Sequence, residues 1–164
     1  MTDISVGKAQ QLTSPNPFAL LSTVKEDGSI NLMAVSWWTY LSNRPPMLGV
    51  ALSQKGLSGS LIETGKEFGL SIVGENLKEA ALGCGSCSGK SVNKVNAFHI
   101  PLEDASMIAP KLAAGSRVAF ECKLTDKLTV SDHIFYVAEI VACHGDPEIS
   151  QLFAWDGYSR LDTL

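Results

Sequence analysis

Apolar positions in this chain fall in short runs broken by Gly, Pro and small polar residues, a β-rich pattern with few helical stretches. Phe18 to Val24 is one such run. It meets Lys25-Glu26-Asp27-Gly28, and Ile30 to Ser36 resumes it, so Asp-Gly between the two predicts a hairpin. Met47 to Leu52 reads as a further strand, reached through Pro45-Pro46, which stops any preceding helix. Leu57, Leu61 and Ile62 recur at helical spacing within Gly56 to Thr64, with Gly65 as the C-terminal stop. Phe68 to Val73 is a short strand, and Glu75 to Leu82 reads as one or two helical turns with Leu77, Ala80 and Ala81 inward. Gly83 to Asn96 reads as a loop with helical tendency at its end. Arg117 to Leu124 alternates, with Val118, Phe120 and Cys122 on one face, and His133 to Cys143 is a strand rich in β-branched and aromatic residues. Leu152 to Leu164 is a tail carrying Phe153, Trp155 and Tyr158. This order suggests an antiparallel barrel, closed or nearly so, with peripheral helices; pattern alone leaves a sandwich level with it.

The chain has 164 residues, 45% hydrophobic and 18% charged, and no linker or repeat divides it, so a single domain over 1–164 is expected. The formal net charge of -4 argues against a nucleic-acid partner, which needs a basic face. No apolar run approaches the ~18 residues of a membrane span. The start, Met1 to Leu12, lacks a basic segment followed by an apolar one, so a cytoplasmic protein is expected. The low charged fraction makes self-association plausible.

The chemistry concentrates between Asn31 and Ser58. A strand such as Met33 to Trp37 offers backbone N–H and C=O groups at fixed spacing to the polar edge of a flat ligand. The turn after Leu52 is small and polar and opens a helix-like segment whose unpaired N–H groups suit a phosphate; Ser53, Lys55 and Ser58 add hydroxyls and a cation. For that motif alone, an ordinary capped strand-to-helix turn is the better account.

The blocks Asn31 to Trp38, Pro45 to Leu52, Ser53 to Ile62, Glu67-Phe68, Ser88-Gly89-Lys90-Ser91-Val92-Asn93-Lys94 and Gly157-Tyr158-Ser159-Arg160-Leu161 resemble, in order, those of the flavin reductase-like, FMN-binding split-barrel family, the flavoredoxin type in particular. The resemblance covers roughly residues 16 to 161. It implies a mainly β fold, an antiparallel split β-barrel with a few peripheral helices, and a homodimer. It implies FMN as cofactor, lined by Asn31, Met33, Ala34, Val35, Ser36 and Trp37, with Ser53 and Ser58 at the phosphate turn. Ser88, Gly89 and Tyr158 match further cofactor-binding positions, and Lys94 is the candidate cation that tunes the ring. Many relatives carry an arginine where this chain has Gly56, and Lys55 stands one residue earlier. The tail residues Trp155 and Tyr158 are candidates to cover the flavin of a partner subunit. Alternation with Val35 turns Trp37 toward the barrel and Trp38 away from it.

Two functions follow from the resemblance. One is an oxidoreductase that accepts hydride from NADH or NADPH and passes electrons to free flavin, a metal complex or a protein partner. The alternative is an FMN-binding electron carrier without NAD(P)H activity of its own, favoured by the lack of any GxGxxG after a strand. His99, His133 and His144 are scattered and support no hydrolytic triad. Of four cysteines only Cys84 and Cys87 form a CxxC pair. Plain small residues in a tight loop, a redox dithiol and a zinc site all compete there. Zinc lacks a second pair, and the flanking glycines suit a thioredoxin-like helix poorly. No metal is expected.

Overall fold

The computed structural model describes residues 1–164. Seven antiparallel strands form the main sheet: β2 (Ala19–Val24), β3 (Ile30–Val35), β4 (Trp38–Asn43), β5 (Pro46–Ser53), β6 (Glu67–Val73), β9 (Ser116–Val130) and β10 (His133–Gly145). Their order is β3-β2-β6-β9-β10-β5-β4, which leaves β3 and β4 at the two edges although they are consecutive in the chain. A second sheet joins β1 (Asn16–Pro17), β11 (Phe153–Trp155) and β12 (Arg160–Asp162), and a third pairs β7 (Leu102–Glu103) with β8 (Leu112–Ala113). The helices are α1 (Val6–Leu12), α2 (Leu57–Gly65), α3 (Lys78–Ser86) and α4 (Lys94–Ala97), with one 3-10 turn over Glu75–Leu77. No helix is long and apolar enough to cross a membrane.

One hydrophobic cluster fills the interior of the curled main sheet, drawing Ala19 and Leu21 from β2, Val35 from β3, Leu48, Val50 and Leu52 from β5, Phe120 and Cys122 from β9 and Tyr136 from β10. Trp38, at the opposite sheet edge from Val35, packs on the same cluster, so the sheet wraps round into a split β-barrel. A second cluster lies outside it: Phe18, Leu20 and Leu32 meet Leu77, Ala81 and Cys84 of the α3 region and Leu152, Ala154 and Leu161 of the tail. β2 is thus covered on both faces, which explains why it reads as a continuous apolar run rather than an alternating one.

The hairpin at Asp27-Gly28, the inward face of Val118, Phe120 and Cys122, and the placement of Leu77 and Ala81 follow the pattern. Four features depart from it. β4 gives no strand signal because its residues are mostly exposed and no buried face imposes alternation. β9 runs on to Val130, since its outer half pairs with β10 beyond the core and carries exposed Leu128 and Val130. α3 continues to Ser86 through a stretch expected as a loop. Its glycine at 83 permits this, because a Cβ there would sit 2.5 Å from the Phe98 ring. The chain also bends between β3 and β4, so Trp37 faces outward, 48% exposed, and Trp38 faces the core, the reverse of the alternation.

Glu121 of β9 is fully buried on the outer face of the sheet. Its carboxylate accepts hydrogen bonds from the Ser106 amide (2.8 Å), the Ser106 hydroxyl (2.9 Å) and the Met107 amide (2.6 Å), and His144 Nε2 lies 2.6 Å away. Burial pushes its carboxyl up, but these partners outweigh it and hold the group at about 2 instead of 4.5. A depressed carboxylate contributes stability that is present above its unfolded value and lost as pH falls through the folded one. Thermal unfolding followed by circular dichroism should therefore show the protein's Tm dropping between pH 4.5 and 2. Glu121→Gln, which loses acceptor capacity for three donors, should have a lower Tm at neutral pH and a flatter acid limb.

Candidate functional site

β3 pairs only with β2, so its other edge carries unpaired N–H and C=O groups. Three adjoining cavities lie along that edge, and Ala34 lines all of them. Together they form one groove. The first cavity, 210 Å³, brings together Asn31, Leu57, Ser58, Gly89 and Lys94. The second, 310 Å³, is bounded by Met33, Ser36, Trp37, Ser53, His133 and Tyr158. The third, 610 Å³ and mainly apolar, lies between Phe18, Ala81, Leu82, Gly85 and Tyr158. No Asp or Glu lines any of the three.

Position 31 organises the smallest cavity. Asn31, 3% exposed, donates through Nδ2 to Thr23 Oγ1 at 3.1 Å and to Ser58 Oγ at 3.0 Å, which ties β3 to the first turn of α2. Gly56 is the N-cap of α2 and offers no side-chain hydrogen bond, so the helix's first amides remain open toward that end. Gly89 passes so close that a Cβ would stand 2.0 Å from Asn31 Oδ1, so any larger residue there would displace the Asn31 amide. Lys94 is buried at the start of α4 and donates through Nζ to the Cys84 carbonyl at 2.6 Å. An ammonium has three donors, so two remain for a ligand.

Two more lysines hold the loop that forms the cavity's rim. Lys25 donates to the Gly89 carbonyl at 2.8 Å and Lys90 donates to the Lys55 carbonyl at 3.0 Å. Lys55 itself is exposed, and its side chain lines none of the three cavities. Ser53 and Ser58, read from sequence as one turn, are divided between neighbouring cavities. Ser88 joins the smallest cavity with Gly89. Val35 serves both the barrel core and the second cavity.

The far end of the groove is aromatic. Trp37 packs against His133 with ring centroids 4.9 Å apart and the planes tilted by 34°. The pairing of β10 with β5 sets His133 opposite Ser53, a juxtaposition made by two strands eighty residues apart. Sequence spacing gave no signal for it. Tyr158 reaches the groove from the tail, where Asp156, Gly157 and Tyr158 all take positive φ (50, 66 and 75°) and turn the chain back. Its hydroxyl and that of Ser36 are hydrogen-bonded, its ring meets Phe18 edge-on, and burial pushes its phenol up. The tail therefore covers its own chain's groove. Trp155 lies apart from it beneath the Arg160 guanidinium, 4.9 Å from the ring centroid.

A phosphate fits the donor set of the small cavity: a buried ammonium, a hydroxyl, an open helix N-terminus and no carboxylate. A planar polar ring fits an unpaired strand edge with an aromatic wall. FMN has both parts, and the residues present suit it.

Comparison with known proteins bears on the family and the fold. An uncharacterised protein of Archaeoglobus fulgidus is 27% identical over 117 residues, 71% of this chain and 66% of that protein. The NADH-dependent flavin reductase StyB of Pseudomonas fluorescens is 29% identical over 136 residues, 79% of this chain and 71% of StyB. The chain thus spans about two thirds of the length of these relatives. Among solved structures, flavoredoxin from Methanosarcina acetivorans superposes with a TM-score of 0.88 at 20% identity, covering 100% of this chain and 91% of that one; it is a likeness of fold. The family model "Flavin reductase like domain" matches residues 12–162, almost the whole chain, and with that match the protein belongs to the flavin reductase-like family.

Proposed function

We propose that the protein is an FMN-binding oxidoreductase that accepts hydride from NADH or NADPH and passes electrons onward to free flavin, a metal complex or a protein. The observation that carries this reading is the continuous groove along the open β3 edge. It joins an anion cavity without any carboxylate to an aromatic wall. When bound, FMN supplies the two-electron chemistry; the protein supplies position and electrostatics.

The residues divide that work by place. Ser58, the first amides of α2 and Lys94 hold the phosphate, and Asn31 fixes the Ser58 hydroxyl for it. The edge groups of Met33 to Ser36 address the polar rim of the ring. Trp37, packed against His133, closes one end of the groove, and Tyr158, tied to Ser36, closes another side and restricts water. Lys94, with an otherwise carboxylate-free lining around it, favours negative charge on the ligand. The open, solvent-facing side next to Trp37 leaves room for a nicotinamide to stack transiently. The lack of a GxGxxG element favours a second reading, an electron carrier loaded by another reductase.

The homodimer of this reading would pair across β4. This edge strand leaves its backbone unpaired on one side and exposes Tyr40 (61%) and Leu41 (44%). Light scattering should give twice the 17.5 kDa chain mass, and a monomer at all concentrations would rule out this homodimer.

Protein reconstituted with FMN and desalted should keep a flavin spectrum that bleaches anaerobically with NADH or NADPH. Retained flavin that neither nucleotide bleaches would favour the carrier. Loss of all flavin would contradict both readings. Lys94→Gln keeps a donor for the Cys84 carbonyl but removes the charge, so the FMN Kd should rise about tenfold to a hundredfold in a fluorescence titration. An unchanged Kd would remove Lys94 from the phosphate site.

A further inference from the structure

Cys84 and Cys87 play no part in the reading above, yet both line the 210 Å³ cavity with Asn31, Ser58 and Lys94. α3 runs through Cys84 to Ser86, and residues three apart on a helix hold their Cβ atoms about 5–6 Å apart. A disulfide needs about 3.5–4.5 Å. The small contraction falls where the helix yields. Cys87 is the C-cap, already extended at φ -142° and ψ 165°, and its thiol makes only a 3.6 Å contact with the Gly83 carbonyl.

The two sulfurs also differ in the way an exchange pair requires. Cys87 is partly exposed and faces the cavity, whereas Cys84 is 1% exposed. Burial pushes the Cys84 thiol up to about 11; the Lys94 ammonium lowers it and Cys87 raises it. An accessible sulfur attacks and a buried one resolves. All four cysteines are free.

We propose that Cys84 and Cys87 are a redox-active dithiol that reduces low-molecular-weight disulfides at the wall of the groove. The Cys87 thiolate attacks one sulfur of R–S–S–R, forming a mixed disulfide and releasing RS⁻, which takes up the proton Cys87 gave. Cys84, deprotonated in turn, attacks the Cys87 sulfur, closes the intramolecular disulfide and expels the second RS⁻, which takes the Cys84 proton. The substrate disulfide gains two electrons and becomes two thiols, and the pair loses two. Reopening the pair takes two electrons and two protons, which reduced FMN would supply from the adjoining β3 edge, where Ala34 packs beside Gly85, the neighbour of Cys84. That return half rests on the function proposed above; the exchange half does not.

The exchange is tested by incubating FMN-free protein with glutathione disulfide, blocking remaining thiols by alkylation under denaturing conditions, and digesting with trypsin. The peptide from Glu79 to Lys90 contains Cys84 and Cys87 and no other cysteine. It should appear unalkylated and lighter by two hydrogens, while Cys122 is alkylated; in Cys87→Ser, the same peptide should carry an alkylated Cys84. Two alkylated thiols in the untouched sequence, or glutathione left on Cys87, would overturn the proposal. In a second arm the oxidised protein, with FMN and without, is illuminated anaerobically with EDTA. Both thiols should return only where FMN is present. A persistent disulfide beside bleached flavin would overturn the return half. A chain that takes up no flavin would defeat the proposed function instead, and the first arm would still decide the dithiol.

Discussion

The main sheet cannot close between β3 and β4, and the groove is built on that opening. The two strands are separated in the chain by only Ser36 and Trp37, yet they lie at opposite ends of the sheet order. The bend between them is held by the Trp37 carbonyl, which accepts from the Ala51 amide at 2.8 Å, and by the Ser36–Tyr158 contact. Pairing β3 with a further strand would have satisfied its edge groups and filled the groove. Left open, the edge presents backbone donors and acceptors at a fixed repeat, on a rigid barrel wall with a hydrophobic cluster behind each face.

Charge placement then sets which end of a ligand lies where. In a chain of net charge -4, Lys25, Lys90 and Lys94 gather around the Gly89 loop, and no carboxylate enters the groove. Two of these lysines brace backbone carbonyls of the rim, and only Lys94 is buried within the cavity wall. Position 56 is a glycine, Lys55 before α2 lies outside the three cavities, and the positive charge in the small cavity's wall comes from Lys94 of α4. The buried Glu121, by contrast, is satisfied on the far surface by Ser106, Met107 and His144 and belongs to the fold.

Much of this was legible in the sequence where burial imposes a period. β2, β5 and the inner half of β9 announce themselves because their side chains enter a core. β4 and the outer half of β9 do not, since exposed strands held by pairing leave no hydrophobic pattern. Ordered motifs located Asn31, Ser58, Gly89, Lys94 and Tyr158, which the fold brings to one groove. Motif spacing grouped Ser53, Lys55 and Ser58 because they are close in the chain, and it missed His133 and Lys25, which arrive through strand register and a hairpin turn. The helical Gly83-Cys84-Gly85 segment was hidden for a related reason: Gly83 answers to the Phe98 ring, which packs against it from α4's C-cap.

In the proposed function the small cavity between α2, Gly89 and Lys94 anchors the FMN phosphate while the β3 edge receives the ring. Comparing the affinities of FMN and riboflavin tests it directly, since the two share the ring and differ in the phosphate. Fluorescence titration of the protein with each should give FMN a Kd lower by at least about a hundredfold, since two charge-assisted contacts contribute about 3 kcal/mol or more. Equal affinities for FMN and riboflavin would contradict the account, because the cavity would then contribute nothing to holding the cofactor.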